Sequence, residues 1–497
     1  MLALLTVMML FVSCGGGTDT ETEAPANETD PSANVGGDEE TEITDDLGDV
    51  NFADIENPVI TFFVRTGFEN EIYVKEIIDE RLNDAVYWRN QAVQKRLGVE
   101  ITHVAQMCDW SSSGHYSEWN NTLRNAIKTT THDFDAAMIY AGTGSSLAIE
   151  GCYLDLTKLD MISLEKPWWN QNLLREATVY NSLYFASGSI SHSQLSWANV
   201  LWYNKDIYAE YFANSDKKDI YQVVRDGEWT IDYLYDLTSQ VWEDNDSNGE
   251  CSSGDLVGWG GGSGSAAGAM DAWVYALGCD LTKIDESIGE PVACFYNEHT
   301  VQAHEKLVNL YSNNAGAFVT NVQTKDTGDT KFGNGNVMFN LSTFGGGSSL
   351  RGAPFAYGVL PLPKFDVEQA SYRSIPEAVS SMVVVLSTVE EERLDMVSAT
   401  VELMAAEAYK TVIPTYVDVV LKSQQSNSPE DAEMVQKILD SMVYSFGWIF
   451  SSTHMGNMGK AFRTVDGSVD ITNYYLTNQS AYETALEGLI DGFASLS

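Results

Sequence analysis

Basic residues are scarce: the 497-residue chain holds 28 Lys and Arg against 71 Asp and Glu, a formal charge of −43 at pH 7. Gripping nucleic acid or an anionic membrane face takes clustered Lys and Arg, so neither role is expected. Long apolar runs are missing as well. The body has no stretch of 18 or more apolar residues, so no membrane-spanning helix is expected in it. The six cysteines (Cys14, Cys108, Cys152, Cys251, Cys279 and Cys294) show no CxxC spacing, which gives a zinc site no support. Cys279 and Cys294 stay open to two readings, a disulfide or a pair of buried thiols. G-x-S-x-G, HExxH and Walker patterns are absent, and the seven histidines lack metal spacing. Glycine-rich stretches at 258–268 and 345–347 lack the Lys or the dinucleotide context of a phosphate cradle, so they read as flexible loops. No residue is marked as catalytic, and the chain is not expected to be an enzyme. Against these absences stand 44% hydrophobic and 11% aromatic residues, enough for two or three domains with real cores.

Residues 1–14 read as an address. Leu2–Val12 is a short apolar run, too short to span a membrane, and it ends in Ser13-Cys14 before three glycines. Apolar-small-Cys-Gly resembles the lipobox of bacterial lipoproteins, which implies lipidation of Cys14 and an extracellular, membrane-anchored protein. Residues 15–57 carry fourteen Asp and Glu and no base; the first Lys or Arg of the chain is Arg65. Such a segment buries too little apolar surface to offset its ordering entropy, so it is expected to be a disordered acidic tether.

The body alternates element types. Val59–Val64 is a compact strand, followed by a helical pattern through Ile72, Ile77, Ile78, Leu82, Val86, Val93 and Leu97 that stops at Gly98. Val99–Val104 alternates as a strand, Trp119–Lys128 reads as helix, and Phe134–Tyr140 as a buried strand. This order implies a parallel sheet covered on both faces, with ligands expected at the carboxyl ends of the strands. A second α/β region follows, with strands at Val200–Asn204, Tyr357–Pro363 and Ser381–Leu386 and a loop then strand over 332–340, then helices to the end.

Seven segments in this order resemble the family 1 extracellular solute-binding proteins of ABC importers, the maltose-binding-like group. They are Val93–Ile101 (VQKRLGVEI), Phe134–Ala137 (FDAA), Leu154–Thr157 (LDLT), Leu201–Tyr208 (LWYNKDIY), Gly227–Leu237 (GEWTIDYLYDL), Phe332–Met338 (FGNGNVM) and Tyr357–Pro363 (YGVLPLP). The resemblance implies a two-lobe α/β fold of the periplasmic-binding-protein type II class, with hinge strands and a cleft between lobes. It places residues 58–198 with 373–440 in an N-terminal lobe, and 199–372 with 441–497 in a C-terminal lobe. It further implies a monomer that captures a small solute, hands it to an ABC permease without transforming it, and touches the membrane only through its anchor.

An oligosaccharide is the expected solute, because pyranose C–H faces stack on aromatic rings while hydroxyls need polar partners. Most aromatics of an α/β protein are core, and Trp202 and Trp242 are assigned there. The ring candidates at strand ends and loops are Trp110, Tyr140, Trp197, Trp259, Phe344 and Trp448, the last by its likeness to the family's C-terminal aromatic. The polar candidates are Arg65 and Glu69 after the first strand, Thr143 after the third, and Asn340.

One further motif stands apart. Residues 244–255 reproduce D-x-D-x-N-G-x5-D, the spacing of a calcium loop. Asp244, Asp246 and Asn248 would give side-chain oxygens, Glu250 its carbonyl, Asp255 the closing carboxylate, and Ser252 would act through water. The expected occupant is a structural Ca2+, with no catalytic cofactor, and the preceding stretch Thr230–Glu243 is expected to be helical. Two rivals remain at this stage: a surface-anchored glycan-active enzyme, for which no acid pair is marked, and a calcium-loop adhesion or scaffold protein.

Overall fold

The computed structural model describes residues 44–497 except 110, 264–267, 322–327, 351, 424–427, 454 and 497. The first sheet begins with β1 (Val59–Arg65), β2 (Glu100–Gln106) and β3 (Ala136–Tyr140), with β1 parallel to both others. Phe63 holds the layers together, stacking on Trp119 and Phe134 at 4.6 Å between centroids in each pair. Helix α1 (Arg81–Leu97) starts where the Glu80 carboxylate accepts the Leu82 and Asn83 amides, and it ends at Gly98 with φ +69. The helical pattern read from Ile72 onward is therefore shortened. The cap fixes the start at Arg81, and Ile77 and Ile78 lie exposed before it. Helix α2 (Ser113–Thr129) is capped by Ser112 and leads into β3.

The second sheet contains β4 (Asn199–Asn204), β5 (Trp242–Glu243), β6 (Leu256–Ser263), β9 (Ala317–Asn321), β10 (Val337–Thr343) and β11 (Tyr357–Leu360), after and around a separate hairpin of β7 (Thr282–Asp285) and β8 (Glu290–Ala293). Its order is β11-β4-β10-β6-β5, with β9 also on β6. The chain then returns: β12 (Ser381–Val385) adds antiparallel to β3 on the first sheet.

Three segments connecting the two sheets lie side by side. Ala198 bridges Pro376 antiparallel, and Ser374 bridges Met442 in parallel. The Asn199 amide side chain donates to the Ile375 carbonyl at 2.8 Å, Ser374 Oγ to the Asn199 carbonyl at 2.8 Å, and the Val443 amide to the Ser374 carbonyl at 2.8 Å.

Four expectations need revision. The expected tether does not extend through residues 45–57, which pack on the body: Arg96 clamps the Asp45 carboxylate at 2.6 and 2.8 Å, Leu47 is buried, and the Phe52 amide donates to the Leu97 carbonyl at 2.7 Å; residues 15–43 lie outside the described residues. Gly98 makes room for this strap, since a Cβ there would sit 2.9 Å from the Ala53 amide nitrogen. The C-terminal helices also sort differently. Among α3 (Leu394–Lys410), α4 (Val412–Ser423), α5 (Pro429–Asp440) and α6 (Ile471–Ala494), the first two pack on α1, but α5 docks on the second sheet. There Asp431, fully buried, accepts from Lys205 Nζ at 2.7 Å and from the Tyr221 hydroxyl at 2.6 Å. The end of α6 instead reaches the first lobe, where Phe493 meets Tyr184 and Phe450. Residues 256–263 form a strand and not a flexible loop, and Trp242 is partly exposed on its short edge strand. Cys279 and Cys294 are free thiols.

Candidate functional site

Strand pairing decides which chain ends meet. Tyr140, at the end of β3, is opposite Ser381, at the start of β12; Thr343, at the end of β10, is opposite Asn199, at the start of β4. Both β4 and β12 begin directly after a crossing segment, so these two sheet edges adjoin the crossings. Arg65 ends β1 on the same edge as Tyr140.

Arg65 is fully buried, with its guanidinium carbon 3.7 Å from the Phe68 ring centroid and 5.4 Å from that of Tyr140. Its Nη2 donates to Ser381 Oγ at 2.7 Å, while Nε and Nη1 have no hydrogen-bond partner. Burial pulls the arginine pKa down, and the nearby Glu71 carboxylate pushes it back up. Arginine deprotonates only far above neutrality, so the group is a buried cation with donors to spare. Glu71 is equally buried. Its Oε1 accepts from Ser191 Oγ at 2.7 Å and the Ser193 amide at 2.9 Å, and its Oε2 has no partner.

Hydrogen bonds join the two groups into one network. Ser193 Oγ accepts from the Ser381 amide at 3.0 Å and lies 2.9 Å from Ser191 Oγ. Gln194 Nε2 donates to the Ser381 carbonyl at 2.7 Å, and its Oε1 accepts from the Tyr444 hydroxyl at 2.5 Å. Tyr444 meets Trp448 edge-on at 5.5 Å. Beside Tyr140, the Tyr116 ring lies 5.0 Å away, and Asn120 donates to the Thr143 carbonyl at 3.3 Å. Thr143 Oγ1, Asn120 Oδ1, His192 Nδ1, Asn199 Oδ1 and Ser380 Oγ join Arg65 and Glu71 as buried polar atoms without a partner. Buried polar groups are normally satisfied, so such a concentration asks for an occupant that supplies donors and acceptors.

The sequence candidates divide accordingly. Arg65, Tyr140 and Thr143 come together at this edge, and Trp448 reaches it through Tyr444 and Gln194. Trp197 lies half-buried in the first crossing, its carbonyl accepting from the Glu377 amide at 2.9 Å. Phe344 follows β10 at the same crossing but is buried against Tyr416, Val417 and Leu439. Glu69 folds back to accept from the Gly67 amide at 2.6 Å, closing the turn after β1. Asn340 sits mid-strand, paired with Trp202 and Gly260, away from the edge. Trp259 is fully buried in the second lobe against Trp273 and Tyr311. Trp110 lies outside the described residues. Glu71, Phe68, Tyr116, Gln194, Ser381 and Tyr444 escaped the sequence reading; only Gln194 carries a signal, the hydroxyl-rich run Ser187–Ser196 that holds it.

A Ser-His-Asp grouping near this edge does not make a hydrolase. Asp109 Oδ1 at 2.7 Å and Ser111 Oγ at 3.5 Å both address Nδ1 of His115, whereas a serine relay uses opposite ring nitrogens.

The acidic loop is a hairpin connection and not the continuation of a helix. The helix after Thr230 ends at Thr238, and Trp242-Glu243 pairs with Leu256-Val257. Carboxylate oxygens of Asp244, Asp246 and Asp255 lie within 4.8 Å of one another, and Gly249 takes φ +78 at the sharp turn. Asp244 accepts the Asn248 and Gly249 amides at 3.1 and 2.8 Å. Asp255 takes the Ser252 and Asn245 amides at 2.8 and 2.9 Å, and these bonds, that from Ser252 foremost, hold its carboxyl below the usual range. Lys331 Nζ donates to the Ser252 and Ser253 carbonyls at 3.2 and 2.8 Å and to that of Asp255.

No protein-family model matches the chain, and no curated protein sequence matches it. Solved structures do. UgpB from Mycobacterium tuberculosis in complex with glycerophosphocholine shares 12% identity over 87% of this chain and 99% of that one, with a TM-score of 0.55. A cyclo/maltodextrin-binding protein complexed with maltotetraose shares 12% over 88% and 97%, at 0.52. A family 1 extracellular solute-binding protein from Bifidobacterium longum subsp. infantis shares 13% over 86% and 99%, also at 0.52. The chain therefore has the two-lobe α/β fold of these solute-binding proteins.

Proposed function

We propose that this protein is the extracellular solute-binding component of an ABC importer, and that it captures a carbohydrate, an oligosaccharide, between its two lobes. The observation that carries this reading is the gathering of unpartnered buried donors and acceptors beside the Phe68, Tyr116 and Tyr140 rings, at the edge adjoining the three crossings. A hydroxyl-rich solute supplies both kinds of partner, and its C–H faces suit the rings. The protein binds, closes and releases to a membrane permease as a monomer, and it leaves the solute chemically unchanged. Cys14 carries the lipid that anchors it to the outer face of the membrane. A Ca2+ ion held by Asp244, Asp246, Asn248, the Glu250 carbonyl and Asp255 clips the β5–β6 hairpin, with no part in solute chemistry.

A thermal-shift screen of oligosaccharides, peptides and polyamines tests the solute class. A ligand at 100 times its dissociation constant adds about 2.7 kcal/mol to the folded state, a shift of several degrees in a small domain and less in a chain of this length. Stabilisation by oligosaccharides is expected; stabilisation by peptides or polyamines alone would overturn the carbohydrate assignment.

A further inference from the structure

Gln194 has two neighbourhoods. Its amide joins the Ser381 carbonyl and the Tyr444 hydroxyl at the solute edge, and the same residue borders a cavity of about 180 Å³. Arg65, Phe68, Glu71, Tyr140 and Thr143 do not line this cavity, so it is a place apart from that edge. Its walls come from both sides of the crossings. Trp168, Trp169, Tyr409 of α3 and Ile413 of α4 belong with the first sheet, while Leu439 ends α5, which Asp431 ties to the second. Leu195 and Met442 stand at the crossings themselves: the Ala198 amide donates to the Leu195 carbonyl at 3.0 Å, and Met442 bridges Ser374.

The chemistry of the lining is one-sided. In a chain with 20% charged residues, none of the twelve residues around this cavity is charged. A guest there brings no charge of its own, because an unpaired charge is costly to bury. Both tryptophans are buried, and each indole N–H is held by Glu402 at 2.9 Å, so that wall is fixed before any guest arrives. An apolar cavity of about 150 Å³ takes up benzene. The room here suits one aromatic ring with a small substituent, for which Ser189 and Asn170 supply polar partners.

We propose that this cavity is a second binding site, for a neutral aromatic compound of phenol size, and that its guest sets how readily the hinge closes on the solute. The guest touches both lobes and two of the three crossings, so its affinity depends on the hinge angle. By linkage it then changes solute affinity by the same factor that the solute changes its own. The site itself does not depend on the carbohydrate reading; only its effect on the solute does.

Calorimetric titration of the full chain with phenol and with benzoate is the test. Wild type should take up one equivalent of phenol, and benzoate about tenfold more weakly or not at all. Ile413→Trp fills the cavity from α4, and Met442→Phe fills it from the third crossing. Each, checked for folding by circular dichroism, should weaken phenol about tenfold or more. A saturating oligosaccharide should shift the phenol affinity of wild type about fivefold or more. No phenol binding by wild type overturns the inference, as does equal phenol binding by wild type and a folded filling variant. Equal binding of phenol and benzoate overturns it too, and so does a phenol affinity that the oligosaccharide leaves unchanged. A wild type that binds phenol but no oligosaccharide sinks the carbohydrate reading and leaves the site standing; scattering with and without phenol then reports on the hinge, and an unchanged curve overturns the hinge effect.

Discussion

Glu402 is a single buried group that contributes a pH-dependent part of the stability. It lies fully inside α3 packing, where Trp168 Nε1 and Trp169 Nε1 donate to its two oxygens at 2.9 Å each. Burial raises its pKa to about 7, with the two indole donors working in the opposite direction. A carboxyl with a raised folded pKa holds its proton in the native state after the unfolded chain has lost it, so stability falls as pH climbs from about 4.5 to about 7 and levels off above. The contribution lost is at most about 3 kcal/mol at this shift. Melting curves of wild type and Glu402→Gln should diverge between pH 5 and 7.5, with wild type falling more steeply; parallel curves would remove Glu402 as the cause. Nothing in the local sequence marks this residue, because the two tryptophans it meets are more than 230 positions away. The same limit hid Glu71. Its role depends on Ser191 and Ser193, 120 residues on, while Arg65 and Tyr140 were legible from their place at strand ends.

At the scale of elements, periodicity and capping served well where contacts are local. β1, β2 and β3 stand where the apolar pattern and turn residues put them, and the helix expected over Thr230–Glu243 starts at its Thr230 cap but ends at Thr238. Long-range contacts decided the rest. Helix α5 belongs with the second sheet because of the Lys205–Asp431 pair, which no pattern within either segment announces. β6 reads as a glycine loop, yet its glycines are what lets large rings close over it: a Cβ on Gly261 would lie 2.7 Å from both the Trp259 indole nitrogen and the Tyr311 ring. That packing also takes Trp259 away from the solute edge. In the hairpin loop, Asp246 is the informative carboxylate. It is exposed, and among the described residues its bonds are to Asn248 and Ser252, whereas the buried Asp255 accepts the Asn245 and Ser252 amides at the base of the loop. Millimolar Ca2+ should raise the melting temperature of wild type, by the equivalent of up to about 2.7 kcal/mol at 100 times the dissociation constant, and leave Asp246→Ala unmoved. Identical responses in the two proteins would remove the ion from the loop.

For the whole molecule, the two sheets are built from interleaved pieces of chain and are tied by three adjacent crossings at Ala198, Pro376 and Met442. Unpartnered Asn199 Oδ1 and Ser380 Oγ flank these crossings, so under the proposed function a solute held there is enclosed as the lobes come together. Order of elements and the seven family-like segments made this architecture legible before any contact was known; the division of the C-terminal helices between lobes was not, because helices with apolar faces can cover either sheet. Hinge closure around an unaltered guest is the central claim, and small-angle X-ray scattering with and without a saturating oligosaccharide measures it most directly. Closure should lower the radius of gyration on addition of the sugar, with the sugar recovered intact. Saturation of the protein with no change in the scattering curve would contradict it.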